Sequence, residues 1–142
     1  MRNFCLTLYA FLLLASSCNE DAMNKKEIIV KGRVTDNITK IPIAGARVTV
    51  LCWYHAGWDK TDYVSIDTIA DKDGYFSANF EEGYKVVIAG VAAKYKPNLI
   101  ETKELNDKNI EMNVVLTKSV DTTDTAYLKI SLRNYIVQNS NN

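Results

Sequence analysis

Asp71-Lys72-Asp73-Gly74-Tyr75-Phe76-Ser77-Ala78-Asn79-Phe80 decides the fold, because it joins a turn signal to a clean two-residue alternation. Asp tolerates left-handed backbone and Gly adopts it without steric cost, so Asp71–Gly74 reads as a tight turn. Beyond it Phe76, Ala78 and Phe80 point one way while Tyr75, Ser77 and Asn79 point the other, the pattern of a half-buried strand. Gly83 closes that hairpin. Tyr84 to Val91 is nearly continuous in apolar residues and reads as a central strand, covered more fully than its neighbours.

The same period extends outward in both directions. Upstream, Tyr63 to Ile69 alternates, Ala46 to Tyr54 is a long β-branched and aromatic run, and a loop from His55 to Thr61 bends at Gly57. Ile28, Val30, Gly32 and Val34 alternate with Ile29, Lys31, Arg33 and Thr35 until Asp36-Asn37 stops the run, and Pro42 and Gly45 bracket another turn. Downstream, Lys94 to Asp107 contains Pro97 and many polar residues and reads as a long connection. Ile110, Met112, Val114 and Leu116 alternate with Asn109, Glu111 and Asn113, and a last strand is expected from Thr125 to about Val137 on the spacing of Leu128, Ile130 and Leu132. No segment after the leader has helical spacing. Seven short strands predict an all-β domain of two packed antiparallel sheets, since a single open sheet would leave an apolar face wet.

The start of the chain has a different character. Arg2, the apolar run Phe4 to Ala15 and small residues up to Ser17 form a short secretory signal, and Cys18 follows at once. The apolar run falls well short of the ~20 residues that cross a bilayer as a helix. Ala15-Ser16-Ser17-Cys18 resembles the lipobox of bacterial lipoproteins, which implies cleavage before Cys18 and lipid on that residue. Asn19-Glu20-Asp21 resembles the surface-export signal of Bacteroidota lipoproteins. The expected organisation is a signal over 1–17, a lipidated N-terminus and linker over 18–26, a β-sandwich over 27–137 and a loose tail over 138–142. The expected location is the cell envelope, lipid-anchored at the outer membrane and open to surface exposure.

Composition narrows the partners. The 142 residues carry 17 basic and 17 acidic side chains, and losing the signal removes only Arg2 among them. With no concentrated basic patch, neither nucleic acid nor an anionic membrane face is indicated as an electrostatic partner. Of three cysteines, Cys5 leaves with the signal and Cys18 is committed to lipid, so Cys52 is left alone. It shares a strand face with Ala46, Val48 and Val50, which predicts a buried, inert thiol.

Gly32-Arg33-Val34-Thr35-Asp36, Pro42-Ile43-Ala44-Gly45-Ala46 with Val48 and Val50, and Asp71-Lys72-Asp73-Gly74-Tyr75-Phe76 together resemble the carboxypeptidase regulatory-like domains. Gly83-Tyr84 and Tyr95 fall at that family's glycine-tyrosine strand start and later aromatic. The resemblance runs from about Ile28 to Lys118 and implies a seven-stranded antiparallel Greek-key β-sandwich of the transthyretin-like type. It implies no catalytic groups, because such domains accompany peptidases, receptors and surface lipoproteins.

Candidate chemistry is sparse. His55 is the only histidine, no second histidine stands at ligand spacing, and no serine sits in a nucleophile elbow. Asp71 and Asp73 lack the further acidic positions of a calcium loop, so turn chemistry accounts for them. Neither a metal site nor a cofactor nor a catalytic residue is expected. The candidate ligand-binding residues are Trp53, Tyr54, Trp58 and Tyr63, beside His55: the pleat that turns Cys52 inward turns Trp53 outward, and exposed aromatics supply rigid apolar area. The competing reading folds Trp53 and Trp58 over a sheet edge as a satellite core. The functional expectation is a non-enzymatic, lipid-anchored binding or assembly module with an envelope protein as partner. The alternatives are glycan binding through the aromatic patch and, last, a hydrolase dependent on His55.

Overall fold

Val30, Val34, Val48, Val50, Val86 and Ile88 are completely buried and meet between two open sheets. The computed structural model describes residues 24–102, 104–120 and 131–139. One sheet joins β1 (Lys25–Asp36) to β4 (Tyr75–Gly83) on one side and to β7 (Asn109–Glu111) and β8 (Val114–Leu116) on the other. The second runs β3 (Lys60–Ile69), β2 (Arg47–Gly57), β5 (Lys85–Val91), β6 (Asn98–Glu101). The chain is thus mostly β and folded as two facing sheets.

The deciding stretch behaves as its pattern dictates. Gly74 takes φ +80°, and Asp71 Oδ1 accepts hydrogen bonds from the backbone N–H groups of Asp73 (2.9 Å) and Tyr75 (2.8 Å). Those bonds hold the turn, after which Phe76, Ala78 and Phe80 are buried and Tyr75, Ser77 and Asn79 exposed. β5 is buried on both faces over Val86–Val91. Its inward Val86 and Ile88 fill the space between the sheets, while its outward Val87, Ala89 and Val91 need another cover.

That cover is the largest departure from the alternation. The expected strand from Thr125 to Val137 lies partly outside the described residues, and its described end is a helix, α1 (Leu132–Asn139). Leu132 and Ile136, four residues apart and therefore on one helix face, are buried against Leu51, Val87, Ala89 and Val91. Tertiary burial overrides the weak helix preference of Tyr135, Ile136 and Val137. The strand arrangement departs as well: eight strands are described, β6 falls within the expected 94–107 connection, and β1 pairs with β7 and β8 in parallel. β1 starts at Lys25, inside the expected linker. Residues 1–17 and Cys18 lie outside the described residues.

Candidate functional site: a groove at the break between β7 and β8

β1 receives two partners end to end. β7 pairs with Ile29–Lys31 and β8 with Val34–Asp36, so the ladder is interrupted opposite Gly32 and Arg33. The interruption is satisfied locally. Met112 N–H donates to the Lys31 carbonyl at 2.9 Å, and Arg33 N–H donates to the Asn113 side-chain Oδ1 at 2.9 Å, so an amide side chain stands in for a missing ladder carbonyl. Gly32 is obligatory here, because a Cβ would overlap the Met112 carbonyl oxygen and lie 2.7 Å from the Phe76 ring. Such interruptions re-aim side chains, and this one opens the outer face.

The result is a groove of about 530 Å³ lined by Ile29, Lys31, Tyr75, Asn109, Glu111 and Asn113. Tyr75 is 54% exposed and forms one wall. The Arg33 guanidinium sits 4.9 Å from its ring centroid and donates through Nε to the Asp73 carbonyl at 2.8 Å, which fixes the ring against the turn. Lys31 and Glu111 are register partners, and Asn113 Nδ2 donates to Glu111 Oε1 at 3.3 Å. A flat ring, a cation, a carboxylate and amides therefore line one groove beside the outward Ile29, the composition of a site for a small planar ligand with polar edges.

The four aromatics singled out in the sequence do not form one patch. Trp53 and Tyr63 are register partners with ring centroids 5.0 Å apart, half-buried beside the cluster under α1. Arg133 of α1 lies 5.2 Å from the Tyr63 ring centroid and donates through Nη2 to its hydroxyl at 3.0 Å. The pleat does turn Trp53 away from Cys52, but that face is packed, and Trp53 Nε1 is buried with no hydrogen-bond partner among the described residues. Tyr54, on the opposite face, lines a separate cavity of about 460 Å³ with Val64, Asn79 and Glu82. Trp58 stands fully exposed at the turn between β2 and β3.

The remaining titratable candidates are structural. His55 stacks on Tyr84 at 4.2 Å. Cys52 is buried, its thiol pushed up to about 12 by burial, and Sγ donates to the Glu82 carbonyl at 3.6 Å. Asp36 is a clamp: Oδ1 accepts from the N–H groups of Thr39 (2.8 Å) and Ile38 (2.9 Å), and Tyr95 Oη donates to Oδ2 at 2.8 Å. The Thr39 backbone bond, then the Tyr95 bond, hold its carboxyl well below the usual carboxylate range. Burial, then the Asp36 contact, push Tyr95 up. Among the described residues no three His, Cys, Asp or Glu side chains converge as a metal cluster.

No family model and no curated protein matches the chain. Solved structures do. It is similar to 3-chlorocatechol 1,2-dioxygenase from Rhodococcus opacus at TM-score 0.54 and 11% identity, covering 70% of this chain and 63% of that one. Catechol 1,2-dioxygenase from Acinetobacter radioresistens matches at 0.52 and 15%, covering 75% and 56%. Hydroxyquinol 1,2-dioxygenase from Pseudomonas putida matches at 0.51 and 11%, covering 68% and 58%. At such identities the likeness is one of fold, and the chain spans 56–63% of the length of these structures.

These neighbours correct the sequence reading. The resemblance to carboxypeptidase regulatory-like domains is corrected to a likeness in fold with dioxygenase structures; the motifs behind it are turn glycines and strand alternation, which specify local geometry and not a family. The expectation of a non-enzymatic binding or assembly module, with its glycan-binding and hydrolase alternatives, is corrected by the same finding: the solved structures that share the fold are named as 1,2-dioxygenases, which are enzymes. The groove escaped the sequence reading because it arises where residues far apart in the chain meet. Its one local signal was the polar row Asn109, Glu111, Asn113 opposite Gly32.

Proposed function

We propose that this protein acts on small aromatic diols, the class carried in the names of its structural neighbours, and that the groove beside Tyr75 seats the ring. The fold shared with three such enzymes supports the reading most directly. The groove's chemistry supports it independently. Tyr75 offers a face for offset stacking, Lys31 a charge for a hydroxyl that gains phenolate character, and Glu111 an acceptor steadied by Asn113. Glu111 can accept a hydrogen bond from a ring hydroxyl and so orient it.

Oxygen chemistry on a ring draws on a metal or another oxygen-activating cofactor. The donors here do not fit a protein-held iron. The chain has a single histidine, so a two-histidine, one-carboxylate set cannot be assembled from it, and the described residues contain no three-donor cluster. The steps assigned to this chain are therefore binding, orientation and hydrogen bonding.

The full chain is titrated with catechol, 3-chlorocatechol and hydroxyquinol, following backbone amide shifts at Lys31, Tyr75 and Asn113, with oxygen uptake recorded with and without added iron. Saturable shifts at the groove that weaken about tenfold in Tyr75→Ala support the reading. An unresponsive groove together with no diol-dependent oxygen uptake overturns it.

A further inference from the structure

No stretch of the sequence concentrates basic residues, but the fold gathers them at the end of the domain where β1 stops. Three segments, 36–41, 94–97 and 116–119, meet there. Asn37 N–H donates to the Leu116 carbonyl at 2.9 Å, Lys96 N–H to the Thr117 carbonyl at 2.9 Å and Ser119 N–H to the Lys94 carbonyl at 2.8 Å. Lys40, Lys94, Lys96 and Lys118 are thereby assembled on one surface, all exposed. The carboxylate carried by these segments is that of Asp36, which is buried, clamped by Tyr95 and its own loop, and 3.9 Å from Lys118 Nζ. The adjoining Asp71–Gly74 turn, whose Gly74 lies against Pro42, brings Asp71 and Asp73 together with Lys72 and the Arg33 bound to it, so the excess of positive charge stands.

Two isoleucines stand among these lysines, Ile38 at 80% and Ile41 at 62% exposure. The loop holds them out. Asp36 Oδ1 accepts from the N–H groups of Ile38 and Thr39, Asp36 N–H donates to the Ile41 carbonyl at 3.0 Å, and Lys40 takes φ +59°, a left-handed conformation that costs any residue with a Cβ. Folding alone gains nothing from a clamped, strained loop that keeps two isoleucines in water. We propose that this end of the domain is a contact for an anionic lipid bilayer, in which the four lysines meet the headgroups and Ile38 and Ile41 enter the boundary beneath them. Lysine suits that position because its stem lies along apolar surface while its ammonium stays among the headgroups. The composition separates a bilayer from other polyanionic partners. Protein interfaces are depleted in lysine, and single-stranded nucleic acid is held by aromatic platforms and arginine. These segments carry no arginine, and their one aromatic, Tyr95, is half-buried with its hydroxyl committed to Asp36. The contact needs no lipid attached to the chain, and it is independent of the diol reading.

The test uses the isotopically labelled full chain with bicelles of phosphatidylcholine, alone or mixed with phosphatidylglycerol, doped with a lipid that carries a nitroxide on its headgroup. Amide signals of Ile38–Ile41, Lys94 and Lys96 are expected to broaden ahead of those of β3 when phosphatidylglycerol is present, and to recover in high salt. Lys96→Gln should weaken that binding about fivefold. The double variant Ile38→Ser, Ile41→Ser should weaken it while keeping its salt dependence, and circular dichroism checks that each variant folds. Broadening of these amides that is the same with and without phosphatidylglycerol, or no greater than that of β3, overturns the proposal, as does a Lys96→Gln variant that binds like wild type. Shifts of the same amides produced by single-stranded nucleic acid and not by phosphatidylglycerol overturn it in favour of a nucleic-acid contact. None of these outcomes bears on the diol reading, which is measured at Lys31, Tyr75 and Asn113.

Discussion

The outer faces of the two sheets have opposite fates, although the same alternation builds both. On the β2–β5 sheet, Leu51, Val87, Ala89 and Val91 point outward and are buried because Leu132 and Ile136 of α1 lie on them. On the β1–β4 sheet the outward residues include Lys31, Arg33, Tyr75, Ser77 and Asn79, and no element among the described residues covers them. An apolar outer row recruits a lid and becomes core, whereas a polar outer row stays accessible and becomes a place for chemistry. The contrast makes α1 a structural element and leaves the other face open to a ligand.

The sharpest way to break that contrast is to remove the lid. Ile136→Ala deletes a side chain with no exposed surface and should cost about 2–5 kcal/mol in urea unfolding, with tryptophan emission reporting the loosened Trp53. A smaller loss with unchanged Trp53 emission would mean that α1 is an ornament on a sheet that stands without it. On the open face, Gly32→Ala forces a methyl against the Met112 carbonyl and should cost about 1–3 kcal/mol, and amide shifts at Lys31 and Asn113 should move even where the rest of the spectrum is unchanged.

A pH series sharpens the comparison at the end where the two sheets are tied. Asp36 closes β1, and Tyr95, which follows β5, donates to it. Its carboxyl titrates lower folded than unfolded, so below about pH 4 the unfolded chain binds the extra proton and stability falls with falling pH. Asp36→Asn should be less stable near neutrality and should lose less than wild type on acidification, as read from urea midpoints. Equal acid sensitivity in both proteins would assign the effect to other carboxylates. The smallest expected change is Tyr75→Ala, which removes a wall of the groove from an exposed position and should alter stability by no more than about 0.5 kcal/mol while the diol-dependent shifts weaken.

How much of this could be read from residue order depends on the range of the interaction involved. β4 and its Asp71–Gly74 turn were legible because turn geometry and alternation are local. The outward direction of Trp53 was legible too, and its packing was one of the two readings left open, but the helix that covers it was not, because Leu132 and Ile136 belong to a segment whose Leu128, Ile130, Leu132 spacing reads as a strand. The parallel partners of β1 were invisible for a related reason: Asn109 to Leu116 shows a single unbroken alternation, and only the approach to Gly32 splits it. The groove was missed for the same cause, since Tyr75, Lys31 and Glu111 come from three strands. Aromatic content drew attention to Trp53, Tyr54, Trp58 and Tyr63 as a set, whereas period-two geometry and a turn distribute them over separate surfaces.

β1 sits between partners on both sides, and the bond from Arg33 to Asn113 joins residues 80 positions apart. During synthesis the first sheet therefore waits for residues 109–116, because β1 lacks β7 and β8 until these have emerged. Closure over such a span is slower than closure of the neighbouring β2–β3 hairpin, so the β7–β8 edge of the first sheet is expected to form late.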